Sequence, residues 1–169
     1  MHLWDIQKLR KISITKLHSE RIGVISWRGT SIATGSRDRT IAMHDLRSSS
    51  RNASNLETNA TRIQFHAQEV CGLKWSPNHM QLASGGNDNN LCVWSHANVS
   101  RPLHNFTQHI AAVKAIGWSH VTEGLLASGG GTMDKTLRFW NTLTGNLLHS
   151  VNTGSQVFLL FFFSCSYGI

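Results

Sequence analysis

The sequence predicts an all-β fold made of repeated four-stranded units, and three observations carry that reading. The first is a repeated set of residues: His18, His66 and His109 each reach a tryptophan nine positions later, at Trp27, Trp75 and Trp118. Each block then holds a small-residue stretch (Ala33 to Ser36, Ala83 to Gly86, Ala127 to Gly130) and an aspartate, Asp38, Asp88 or Asp134. Six positions after the aspartate stand His44, Trp94 and Trp140. The second observation is which distances stay fixed. Tryptophan to aspartate drifts from 11 to 13 to 16 residues, as turns allow, whereas strands must keep their register. The third is local texture. Val70 to Trp75 and Leu91 to Trp94 are short apolar or alternating runs bounded by Gly, Asn, Asp and Ser, and nothing reads as a helix. The leading histidines lie 48 and then 43 residues apart, the period of β-propeller blades.

The elements follow in order. Met1 to Asp5 matches the third strand of a blade, since Leu3-Trp4-Asp5 parallels Phe139-Trp140-Asn141, and Ile12 to Leu17 would be its outer strand. Residues 1–17 are therefore a half blade. Blades are expected over 18–65, 66–106 and 107–151, and residues 152–157 start another. Residues 158–169 read as an aberrant apolar tail. The prediction is about three complete four-stranded blades plus half a blade, with the ring not closed. Two exposed sheet edges and the sticky run Phe158 to Phe163 suggest a truncated product or incomplete gene model, poorly soluble alone. Ser48 to Thr61 is a polar loop within one blade. Its Asn52-Ala53-Ser54 and Asn59-Ala60-Thr61 fit the glycosylation pattern by chance rather than by design.

Composition removes several function classes. Lys and Arg exceed Asp and Glu by 16 − 9 = +7, yet the longest basic cluster is Lys8 to Lys11, so the excess suits acidic protein partners rather than nucleic acid. Three cysteines, Cys71, Cys92 and Cys165, form no disulfide framework, and the first two sit in apolar runs as buried thiols. Met1 to Asp5 lacks the apolar region of a signal peptide, and the C-terminal run is too short for a bilayer needing roughly 20 residues. The ten histidines make no metal-ligand spacing. Histidine, serine and aspartate together suggest a hydrolase, but the trio recurs in every block, and no Gly-x-Ser-x-Gly is present. No cofactor or small-molecule substrate is expected.

The repeated residues resemble the WD-repeat family, whose blade holds a buried tetrad. On that resemblance the tetrads are His66, Ser84, Asp88 and Trp94, then His109, Ser128, Asp134 and Trp140. The preceding blade uses His18, Thr34 and Asp38, with His44 in place of tryptophan. The physics is reasonable: histidine can link an ionised aspartate to a hydroxyl, and an indole N–H can close the chain.

Longer strings are more specific. Gln68 to Ser76, Leu82 to Asn89, Ala112 to Ile116, Leu125 to Thr132, Phe139 to Thr142 and Thr153 to Val157 resemble the Fizzy and Fizzy-related family. The resemblance spans roughly residues 1–157 and is strongest from 66. It implies a non-catalytic adaptor that recruits substrates to the anaphase-promoting complex, a ubiquitin ligase of the cell cycle, in nucleus and cytoplasm. It also implies binding of a Lys-Glu-Asn (KEN) degron, with Asn87, Asn89 and Thr132 as the matching residues here. The run Asn87 to Asn90 is equally good turn chemistry, because Asn and Asp tolerate φ > 0. The family's N-terminal ligase-docking segment and its Ile-Arg tail have no counterpart here, and most of the destruction-box site is missing. The alternatives are a generic WD-repeat scaffold for another partner, or a non-functional truncated product.

Overall fold

A computed structural model describes residues 1–47 and 60–162. Both glycosylation-like sites and Cys165 fall wholly or partly outside these residues. Fourteen strands and no α-helix are found among them. The strands form three four-stranded antiparallel sheets and one two-stranded hairpin.

The hairpin pairs β1 (His2–Asp5) with β2 (Arg10–Ile14), so its second strand starts two residues earlier than the sequence suggests. The first full blade is β3 (Ile22–Arg28), β4 (Ser31–Ser36), β5 (Thr40–Asp45) and β6 (Thr61–Gln64), in that spatial order. The second is β7 (Val70–Trp75), β8 (Gln81–Gly86), β9 (Leu91–Ser95) and β10 (His104–Phe106). The third is β11 (Val113–Trp118), β12 (Leu125–Gly130), β13 (Thr136–Asn141) and β14 (Asn146–Asn152). Inner strands β3, β7 and β11 carry the same register shift after their first residue, at Gly23, Cys71 and Lys114. That repeated bulge adds twist where neighbouring inner strands meet.

Period-two alternation assigns the faces of the middle sheet. Leu82, Cys92 and Trp94 join Ala33, Ile41 and Val70 in the core between the first two blades. Ala83, Leu91 and Val93 face the other way, into a core with Val113, Ile116, Leu126 and Trp140. Both faces of this sheet are covered, which is why Leu91 to Trp94 reads as a continuous apolar run. Aromatic contacts finish each core: Phe106 stacks on Trp140 at 4.2 Å, and Phe65 meets Trp94 edge-on at 5.6 Å.

The two glycines of Ala-Ser-Gly-Gly have separate tasks, both set by neighbours. A side chain at Gly35 would collide with Val70, one at Gly85 with Val113, and one at Gly129 with Val157. Each notch seats the first residue of the following inner strand. The second glycine, Gly86 or Gly130, leaves room for the carboxylate of its own blade, Asp88 or Asp134. Trp118 strengthens the seam by donating its indole N–H to the Lys74 carbonyl at 3.0 Å. Trp27, at the equivalent place in the first blade, stays 54% exposed, since the hairpin before it brings no inner strand.

Val157 extends this pattern. Its N–H donates to Gly130 O at 3.2 Å, and Leu160 and Phe162 lie over Gly117. Val157, Leu160 and Phe162 are half-buried while Phe158, Leu159 and Phe161 are exposed. In β7 and β11 the first, fourth and sixth residues are likewise the inward set (Val70, Leu73, Trp75; Val113, Ile116, Trp118). Residues 157–162 thus lie along the third blade where an inner strand would, though no strand pairs with them among the described residues.

Candidate functional site

Each full blade contains one buried polar brace. In the second, His66 Nδ1 lies 3.1 Å from Asp88, and its Nε2 lies 2.8 Å from Ser84 Oγ. Trp94 closes the set by donating its indole N–H to the same Oγ at 2.8 Å. A neutral imidazole satisfies every member: Nδ1–H donates to the carboxylate, Ser84 donates to Nε2, and Ser84 accepts from Trp94. Asp88 also accepts the Ala67 and Asn90 amides, at 2.8 and 3.2 Å. Burial pushes its pKa up, but the His66 bond and these amides outweigh it, and the net direction is down.

The third blade repeats the design. His109 joins Asp134 through Nδ1 and Ser128 through Nε2 at 2.7 Å, and Trp140 donates to Ser128 at 2.7 Å. Burial pushes the His109 pKa down despite its carboxylate partner. The first blade differs. His18 bonds Asp38 at 3.0 Å and Thr34 at 2.8 Å, and Thr34 donates to the Ala42 carbonyl at 3.3 Å. His44, where the other blades carry tryptophan, is a buried histidine whose pKa burial lowers. Asp38 compensates locally. Burial opposes its ionisation, but donation from the Thr40 hydroxyl and amide, the Ser19 amide and His18 brings the pKa down to about 2.

The trio has the connectivity of a hydrolytic triad, but Ser84 and Ser128 are fully buried and both hydroxyls are engaged by histidine and tryptophan. No substrate can reach them. These residues hold turns. Sequence reasoning overlooked Thr40 and Thr136, whose hydroxyls donate to Asp38 and Asp134 at 2.6 and 2.9 Å. The signal was an Asp-x-Thr string in both places.

What the braces hold is a rim. The turns between the second and third strands, residues 37–39, 87–90 and 131–135, leave three similarly built sheets on one face. In each, the residue after the aspartate has a left-handed backbone: Arg39 (φ 69°), Asn89 (φ 67°) and Lys135 (φ 54°). Asn87 is exposed and Asn89 half-buried, and neither carboxamide has a hydrogen-bond partner among the described residues. Thr132 is exposed and donates to Gln156 Oε1 at 2.9 Å. No hydrogen bond joins these three side chains among the described residues. Asn87 lines a groove with Arg21, Arg37, Arg39, Gln68 and Glu69, and Asn89 and Thr132 lie outside it. This arginine groove was not visible in the sequence. Among the described residues, no group of three or more His, Cys, Asp or Glu could hold a metal ion.

Comparison with known proteins agrees with this architecture. The WD domain, G-beta repeat model matches residues 58–95 and 100–141. A chain in the crystal structure of a mitotic checkpoint complex superposes with a TM-score of 0.85 at 39% identity, over 94% of this chain and 46% of that one. Meiotic fizzy-related protein 1 of Schizosaccharomyces pombe is 47% identical over 157 residues, covering 93% of this chain. This chain carries WD40 repeats, and over more than nine-tenths of its length it is similar to Fizzy and Fizzy-related proteins. Anaphase-promoting complex subunit cdh1 of Dictyostelium discoideum (42% identical, 92% of this chain) and Protein FIZZY-RELATED 3 of Arabidopsis thaliana (46%, 93%) agree. The chain spans only 35%, 24% and 31% of these three relatives. The matched repeats are offset from the blades: residues 58–95 take in the outer strand of one sheet, Thr61–Gln64, and the first three strands of the next. Each of the two matched repeats therefore stitches two blades together.

Proposed function

We propose that this chain supplies part of the degron-reading face of a non-catalytic adaptor for the anaphase-promoting complex, working in nucleus and cytoplasm. The observation that carries the reading is the likeness, over about nine-tenths of the chain, to relatives named for Fizzy and for that complex. The rim chemistry supports it. A carboxamide offers a donor and an acceptor together, so Asn87 and Asn89 can pair with the backbone and polar side chains of an extended peptide. Thr132 adds a hydroxyl on the next blade. The braces below keep the turns fixed, which lowers the ordering cost of binding.

The test is fluorescence anisotropy with a labelled peptide carrying Lys-Glu-Asn and a scrambled control. Asn87→Ala with Asn89→Ala should weaken the Lys-Glu-Asn peptide by about 5- to 100-fold, since lost hydrogen bonds cost on the order of 1 to 3 kcal/mol. Equal binding by parent and double variant would remove these asparagines from the site. Equal binding of both peptides would favour a scaffold for a different partner.

A further inference from the structure

We infer that the groove between the first two blades reads a carboxylate on the bound peptide through Arg39, with Arg37 beside it. Partners gripped at Asn87 are then those with an acidic side chain next to the gripped motif. This rests on the degron-reading proposal and narrows it to a class of peptide.

The groove holds about 510 Å³, and its three guanidiniums are not equivalent. Arg21 is taken by Glu69, with contacts of 2.8 to 3.2 Å. Arg37 reaches Glu20 only at 3.4 Å, and both side chains are more than half exposed. Arg39 has no side-chain hydrogen bond or ion pair among the described residues and is exposed. Asp38, between the two, does not neutralise them. Its carboxylate turns inward to His18, Thr40 and the Ser19 amide.

The backbone adds a second argument. Arg39 occupies a left-handed turn position, φ 69°, where Gly or Asn is easier and where Asn89 stands in the next blade. The turn does not require arginine there, and Lys135 holds the same position in the third blade. A guanidinium is a planar fork that matches a carboxylate with two parallel hydrogen bonds. Glu20 and Glu69 nearby would repel a chain of phosphates yet tolerate one carboxylate set against Arg39, with Arg37 beside it. An acidic peptide fits this groove better than a nucleic acid.

The experiment uses the full chain and three fluorescein-labelled peptides in anisotropy titrations: Lys-Glu-Asn followed by two aspartates, the same with two asparagines, and an Ala-Ala-Ala version of the first. The aspartate peptide should bind about three- to tenfold tighter than its asparagine twin at low salt, the ratio shrinking as salt rises. In Arg39→Gln that ratio should fall to about one, and Arg39→Lys should keep part of it. Arg39→Gly, which relieves the backbone, repeats the test should the glutamine variant melt early. Equal binding of the two Lys-Glu-Asn peptides overturns the inference and leaves the degron reading intact. A ratio that survives both Arg39→Gln and Arg39→Gly also overturns it. If the Ala-Ala-Ala peptide binds as well as its Lys-Glu-Asn parent and loses affinity in Arg39→Gln, the carboxylate site stands and the degron reading fails. Displacement of the aspartate peptide by a single-stranded oligonucleotide at lower concentration would reassign the groove.

Discussion

Replacing Ser84 by alanine tests the brace more sharply than any larger truncation. Ser84 is fully buried, and its single oxygen joins His66 Nε2 and Trp94 Nε1, both at 2.8 Å. Removing it leaves two buried polar groups unpaired while deleting only one small atom, so the cavity contribution is minor. An unsatisfied buried group costs about 1–3 kcal/mol, which places the variant roughly 2–5 kcal/mol below the parent. Against a typical total of about 5–15 kcal/mol, that is a large fraction. For a chain of this size the midpoint should drop by roughly 5–15 °C. Thermal and urea unfolding by circular dichroism measure it, with Ser155→Ala on the exposed loop as control. Ser128→Ala should behave alike in the third blade. A Ser84→Ala loss no larger than the control's would mean that the set is not sealed from water, and the structural role given to it would be wrong.

Gly85→Ala drives a methyl into the Val113 carbonyl of the next blade, and overpacking of this kind should cost about 1–3 kcal/mol of stability, read from urea unfolding. The pH profile should show an acid limb from Asp38. Its depressed carboxylate adds stability above about pH 4 that is lost as pH falls toward 2, about 2 kcal/mol in all, and Asp38→Asn should flatten this limb. Burial also pushes His109 down, so stability should already begin to fall below about pH 6.5, the ordinary histidine value; His109→Gln would remove that early portion. Lys135→Gly should raise stability slightly, by about 0.5–1 kcal/mol, and with it the melting midpoint, because it relieves a left-handed backbone at φ 54° on an exposed side chain. A midpoint at or below the parent's would remove strain as a factor there.

The blades were legible because each buries polar residues, and buried polar residues must recur at fixed spacing. His66, Ser84, Asp88 and Trp94 could be aligned with His109, Ser128, Asp134 and Trp140 before any coordinates, and the structure brings each set within hydrogen-bonding distance. The glycines were seen only as small residues. Their reason lies across the seam in Val70, Val113 and Val157, which no single blade's sequence reveals. Residues 157–162 hid for a different cause. The run is written in Phe, Leu and Val throughout, so it shows no alternation, and only burial separates Leu160 and Phe162 from Phe158 and Phe161. The arginine groove hid because it is non-local: Arg21 and Glu69, which pair in it, are 48 residues apart. On the rim, turn chemistry and ligand chemistry both use asparagine, so sequence alone left Asn87 and Asn89 between two readings. The left-handed backbone of Asn89 bears out the turn reading, and the peptide titration proposed above tests the ligand reading.

The glycine notches also bear on how the chain comes off the ribosome. Each sheet, once formed, offers a ready seat for one valine and the strand behind it, and that strand is always the next to be synthesised. Growth from the N-terminus therefore meets its docking partner already in place. A contact of such short sequence separation closes quickly, because little chain entropy has to be surrendered. An all-β protein assembled from this unit escapes much of the slow long-range pairing that burdens sandwiches.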